Sequence, residues 1–185
     1  MSLVVGLLAA LRAREAGGEG QVVDVTLQQI GYYINGNDTA LTLVTGETPP
    51  RHDRRAPRNP LWNHYRCGDD RWLFLVMIDS ERYWPLLARA MGRPELAEDP
   101  RFADPGERYR NSRELVTILD EIFATKPLEK GIEPMDAERI IWAPVRTLAE
   151  AVQDENAEQN GSFATVHHPE HGTFKTVAPP LQMAG

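Results

Sequence analysis

Apolar and polar positions change rhythm along this chain, and the sharpest pattern lies between Leu61 and Ile78. Tyr65 and Cys67 alternate with His64 and Arg66, which predicts a half-buried strand. Gly68-Asp69-Asp70 supplies turn chemistry: glycine tolerates positive φ, and Asp carboxylates accept from nearby backbone N–H groups. Trp72 to Ile78 is a continuous apolar run, which predicts a second strand covered on both faces. The rest of the chain reads as what packs on this hairpin or leads to and from it.

Upstream, Leu3, Val4, Val5, Leu7, Leu8 and Leu11 make a helix that is apolar nearly all round, as in helices buried between other elements. It should run to about Ala16 and stop at Gly17-Gly18. Residues 20–26 read as a strand, and Thr26 caps a helix over about 27–43 that Gly31, Gly36 and Asn37 weaken. Helix, Gly-rich loop and Val-rich strand make half of a βαβ unit. Downstream, Tyr83, Leu86, Leu87, Ala90 and Met91 form a helical face, with Pro85 placing its start near Ser80 or later. Residues 94–104 suggest a short helix and a loop. Leu115, Ile118, Leu119, Ile122 and Phe123 form an amphipathic stripe behind a capping-box-like Asn111 and Glu114, ending before Pro127. Residues 128–135 carry no clear period, and the apolar residues 140–145 are broken by Pro144. Thr147 and Glu150 make a second capping box. Residues 163–167 and 173–177 read as strands around Pro169-Glu170-His171-Gly172.

This order predicts an α/β chain: a partial Rossmann-like βα piece followed by a small α+β domain. We divide it into a helix–strand–helix piece (1–45), a Pro/Arg-rich linker (46–60), the small domain (61–165), and a hairpin with a return linker (166–185). The chain opens in a buried-type helix and ends without a closing element, so we expect that it lacks its natural N-terminal part, with the C-terminal end cut as well.

Composition narrows the function classes. With 185 residues, 42% hydrophobic, the chain is long enough for one good core or two small ones. A formal net charge of −7 argues against a broad nucleic-acid surface. One cysteine excludes an internal disulfide framework and suggests a reducing, cytoplasmic setting. No stretch approaches the ~18 apolar residues of a membrane span.

No phosphate loop, dinucleotide fingerprint, paired-cysteine zinc pattern or nucleophile elbow occurs. His167, His168 and His171 are close in sequence, but as metal ligands they need a fourth partner, and they fall on a hairpin turn with no Cys nearby, so no metal site is expected. Arg51, Arg54, Arg55 and Arg58 suit either a solvated linker or an anionic ligand. Trp62, Asn63, His64 and Tyr65 combine apolar walls with polar tips and are candidate substrate-side residues; His64 is also a conceivable general base. Asp79, between a strand and a helix, is either a catalytic carboxylate or a helix cap. Cys67 reads as a small core residue.

The stretch from Leu7 to Leu27 resembles the helix-and-strand signature of family III CoA-transferases, the group of formyl-CoA transferases, carnitine CoA-transferases and α-methylacyl-CoA racemases. Residues 59–72, 92–102, 143–147 and 168–172 resemble further segments of that family, in the family's order. The resemblance covers the second half of the family pattern without its final segment. It implies a coenzyme A thioester as substrate, no tightly bound cofactor, a carboxylic acid acceptor and an interlocked homodimer. It also implies covalent catalysis by an aspartate through a mixed anhydride. That aspartate falls upstream of Met1, so no catalytic nucleophile is assigned here, and the chain alone is expected to be inactive. The family's acceptor-side loop, often glycine-rich, corresponds to residues 54–63, which contain no glycine and suggest a bulkier acyl group. In racemase-like members an acidic residue lies near the position of Asp79, which makes racemisation the alternative; a non-catalytic binding or oligomerisation module is another.

Overall fold

The computed structural model describes residues 1–181. The chain separates into two compact units, Met1–His52 and Asp53–Gly185.

The first unit holds α1 (Ser2–Glu15), α2 (Leu27–Ile34) and α3 (Gly36–Thr45). Gly17 ends α1 at φ 95°, the left-handed stop expected of it. Residues 18–26 run without a β-partner among the described residues, so the strand expected over 20–26 is not paired there. The segment still lies close to α1: a Cβ added at Gly6 would come within 2.7 Å of Val23 Cγ1. The expected single helix over 27–43 is two. Thr26 does cap α2, accepting from the Gln29 N–H at 3.1 Å. The break falls at Asn35, whose amide donates to the Gly31 carbonyl at 2.9 Å and so competes with helix continuation.

The second unit is built on a three-stranded antiparallel sheet in the order β1 (His64–Arg66), β2 (Trp72–Leu75), β3 (Trp142–Val145). His64 pairs with Phe74, Arg66 with Trp72, and Trp72 in turn with Val145. One face carries Tyr65, Leu73 and Leu75, all fully buried. They pack with α4 (Ser80–Ala90) and α6 (Ser112–Ala124) through Trp84, Leu87, Leu115, Leu119 and Phe123. The opposite face carries His64, Trp72 and Phe74, each only half-buried. Of the Trp72–Ile78 run only Trp72–Leu75 is strand, and it is covered on one face, not both: among the described residues Trp72 and Phe74 stay half-buried.

The turn between β1 and β2 assigns its residues differently from expectation. Asp70, not Gly68, takes positive φ, at 64°. Gly68 is needed for close approach: its N–H reaches the Lys126 carbonyl at 2.8 Å, and a Cβ would stand 2.7 Å from the Ala124 carbonyl oxygen. Asp69 accepts from the Leu128 N–H at 3.1 Å, tying the turn to the start of α7 (Leu128–Ala137).

Between α4 and α6 lie a 3₁₀ turn (Pro94–Ala97) and α5 (Pro105–Arg110), a helix that periodicity did not reveal. Asn111 does not cap α6 with its side chain; it donates to the Arg101 and Glu107 carbonyls, while Glu114 pairs with Arg101. The Thr147–Glu150 capping box is complete at α8 (Leu148–Ala151), followed by α9 (Glu155–Gln159). β4 (Phe163–His168) and β5 (Gly172–Val177) form a separate antiparallel hairpin. No helix among the described residues is long and apolar enough to cross a membrane.

Candidate functional site

The segment 53–65 is fastened by its own polar side chains. The Asn59 amide donates to the Met77 carbonyl and accepts from the Leu61 N–H, both at 2.9 Å. The Asn63 amide donates to the Arg54 carbonyl at 2.9 Å, and the Tyr65 hydroxyl donates to the Pro60 carbonyl at 2.7 Å. Arg54 closes the network. Its guanidinium forks onto both Asp120 carboxylate oxygens at 3.0 and 2.6 Å, and also donates to the His64 carbonyl at 3.0 Å. It lies 5.6 Å from the Trp72 ring and 6.0 Å from the Tyr65 ring, a cation against two aromatic faces. The Asp120 hydrogen bond holds the Arg54 guanidinium more firmly protonated than usual.

The candidate residues divide by strand parity. Asn63 and Tyr65 are fully buried and act as scaffold. Burial pushes the Tyr65 phenol well above its ordinary range, and the Asn63 hydrogen bond offsets that only in part, so Tyr65 is a neutral donor and not a base. His64 lies on the outer face, its ring stacked on Phe74 at 6.2 Å and tilted against Trp72 at 5.4 Å. Trp62 is 51% exposed in the turn leading to β1, where its backbone N–H donates to the Asn59 carbonyl at 3.0 Å. Asp79 is engaged elsewhere: its carboxylate accepts from the Arg82 N–H at 3.3 Å and caps α4. The structure therefore brings Trp62 and His64 to the presented side, puts Asn63 and Tyr65 behind them, and gives Asp79 a capping task.

Trp72, Phe74 and Asp120 are additions that sequence reasoning missed. The signal was present: Trp72 and Phe74 share the outward parity of His64 and Arg66 through the β1–β2 register. Beside them an open depression is lined by Arg54, Arg66, Trp72 and Asp120. Its cations are matched locally, Arg54 by Asp120 and Arg66 by Asp70 at 2.7 Å. Such a surface can hold a flat or acyl group against aromatic rings; it carries no activated nucleophile. Cys67 is buried, and that burial raises its thiol pKa, as befits a core residue. His168 uses Nδ1 to accept from the Glu170 N–H at 3.1 Å and stacks on His171 at 4.5 Å, so the hairpin histidines serve their own turn. No group of three His, Cys, Asp or Glu among the described residues is placed to hold a metal.

The sequence matches the profile of CoA-transferase family III over residues 1–185. The chain belongs to CoA-transferase family III. Curated relatives include a formyl-CoA:oxalate CoA-transferase of Streptomyces coelicolor, 28% identical over 98% of this chain and 48% of its own length. The succinyl-CoA–D-citramalate CoA-transferase of Chloroflexus aurantiacus is 29% identical over 92% of this chain and 42% of its own length. The 2-methylfumaryl-CoA isomerase of the same organism is 28% identical over 97% and 46%. A crystal structure of a CaiB/BaiF family protein from Brucella suis shares the fold at a TM-score of 0.79 and 21% identity, covering 98% of this chain and 46% of that one. This family III chain thus spans about half the length of the curated relatives it matches.

Proposed function

We propose that this family III chain serves an enzyme that moves coenzyme A from an acyl-CoA donor to a carboxylic acid. The observation that carries the reading is the family match along the whole chain, with CoA-transferases among the curated relatives. In the chemistry proposed, an aspartate attacks the donor's thioester carbonyl, forming a mixed anhydride and releasing CoA thiolate. The thiolate reopens the anhydride at the aspartyl carbonyl, freeing the donor acid and leaving an enzyme thioester; the acceptor acid then reverses both steps. No carboxylate of this chain is assigned as that nucleophile. Asp79, the nearest candidate, is a helix cap.

The chain's own contribution is the outer face of its sheet and the loop before it. His64, Trp72 and Phe74 form an aromatic wall against which an acyl group lies. Aromatic rings against the acyl group displace water from one side of it, and a mixed anhydride survives only where water is kept out. The matching loop, residues 54–63, contains no glycine, which favours an acyl group larger than formyl.

The test is to incubate the product of the complete gene with a panel of acyl-CoA donors and isotope-labelled acids. Transfer predicts label in the thioester pool only when both substrates are present. The 2-methylfumaryl-CoA isomerase relative supports a second reading, in which donor and acceptor sites belong to one molecule. Rearrangement of an acyl-CoA with no exchange into added acid would favour it. Absence of turnover with every pair would leave a binding or assembly role.

A further inference from the structure

We propose that Arg55 and Arg58 form an oxyanion-binding site on the loop leading into β1, taking a carboxylate or phosphate group of a transfer substrate. The ligand class rests on the CoA-transfer reading above; the site itself rests on charge and on the way the loop is held.

Most arginines of the second unit sit against a carboxylate, as Arg54, Arg71, Arg89 and Arg113 do. Arg55 and Arg58 are exposed and have no charged partner among the described residues, in a chain whose net charge is −7. The nearest acid in sequence, Asp53, is already engaged: one oxygen accepts from the Arg55 backbone N–H at 2.9 Å, and the other pairs with Arg113 at 3.3 Å. Two guanidiniums left free amid an excess of carboxylates are suited to charge-assisted, bidentate bonds with an incoming oxyanion.

The backbone that carries them is fixed. Pro57, between them, is buried, as is Pro60 after them. The Ala56 N–H closes a turn onto the Asp53 carbonyl at 3.0 Å, and Arg54 and Asn59 pin the two sides of the pair through Asp120 and Met77. An anchored loop loses little conformational freedom on binding, so weak surface contacts retain more of their strength.

The test is calorimetric titration of the 185-residue chain with succinate and, separately, with adenosine 3′,5′-bisphosphate, at low ionic strength. One of them should bind, and the Arg55→Gln/Arg58→Gln double variant should bind it at least tenfold more weakly, with an unchanged circular dichroism spectrum. Arg82→Gln, which removes another exposed arginine of the same unit, should bind as the unaltered chain does. Succinate alone binding assigns the site to the acid; the bisphosphate alone assigns it to coenzyme A. Binding by neither, or equal binding by the double variant, overturns the site. The complete gene product separates this inference from the reading beneath it. Transfer with KM unchanged in the double variant would sink the inference and leave the reading standing. Oxyanion binding lost in the double variant, with no transfer by any donor, would do the reverse.

Discussion

The two units of this chain spend the same kinds of apolar side chain in opposite ways. In the second, Leu61, Tyr65, Leu73, Leu75, Leu87 and Leu119 have no exposure at all. In the first, no residue reaches the buried class: Leu3, Val4, Val5, Leu7 and Leu8 of α1 are each more than half exposed, and Tyr33, Leu43 and Val44 more than four-fifths. The lesson is that an apolar sequence is enough to draw a helix, but a core needs a second surface. α1 has helix-forming residues and no polar face to turn toward water, and none of its side chains is buried, so packing adds little to its stability.

Core truncation should break the symmetry most visibly. Leu73→Ala removes a fully buried side chain from the sheet and should cost about 2–5 kcal/mol in denaturant unfolding. Leu8→Ala in the same chain should fall within about 0.5 kcal/mol, because that side chain is already 60% exposed. Equal losses at the two sites would mean that α1 has cover of its own.

A smaller effect is expected from Arg54→Ala, which unpins the candidate loop from α6. Hydrogen bonds to charged groups contribute about 1.5–3 kcal/mol, but both partners are partly solvated, so about 1 kcal/mol is expected. Faster amide exchange over residues 54–65 should accompany it. Asp79→Ala should likewise cost about 1 kcal/mol as a lost helix cap and spare turnover of the complete gene product. Turnover lost with stability intact would return Asp79 to catalysis.

The smallest effect is on acid stability, again confined to the second unit. The Glu107 backbone N–H holds the Asp104 carboxylate below its usual range, and Arg146 does the same for Asp154 and Arg101 for Asp99. Carboxylates depressed in the folded state stabilise it above the ordinary Asp value, about pH 4, and that contribution is lost as pH falls through the lowered range. The melting temperature should therefore drop modestly below about pH 4, and less so in Asp104→Asn. A melting temperature that rose on acidification would contradict the assignment.

Much of this was legible in local chemistry. The β1–β2 hairpin, the apolar stripe of α6, the Thr147–Glu150 box and the β4–β5 hairpin follow from periodicity and from side chains that bond their own backbone. What was not legible depended on tertiary partners. Whether Trp72 and Phe74 are covered turns on a layer that strand periodicity does not encode. Residues 20–26 have strand composition but, among the described residues, no strand beside them. Arg54 stood out only as one of a cluster; that it, and not Arg55 or Arg58, is the residue bound to Asp120 is a fact of packing between segments 66 positions apart.

The most direct measurement is residue-resolved hydrogen exchange on the purified chain, diluted until light scattering reports a monomer. The account predicts slow exchange, near the global unfolding limit, for Tyr65, for Leu73 to Leu75 and for the buried turns of α6, with α1 to α3 exchanging orders of magnitude faster. Equal protection of α1 and the central sheet in the monomer would contradict it, because the first unit would then possess a core of its own.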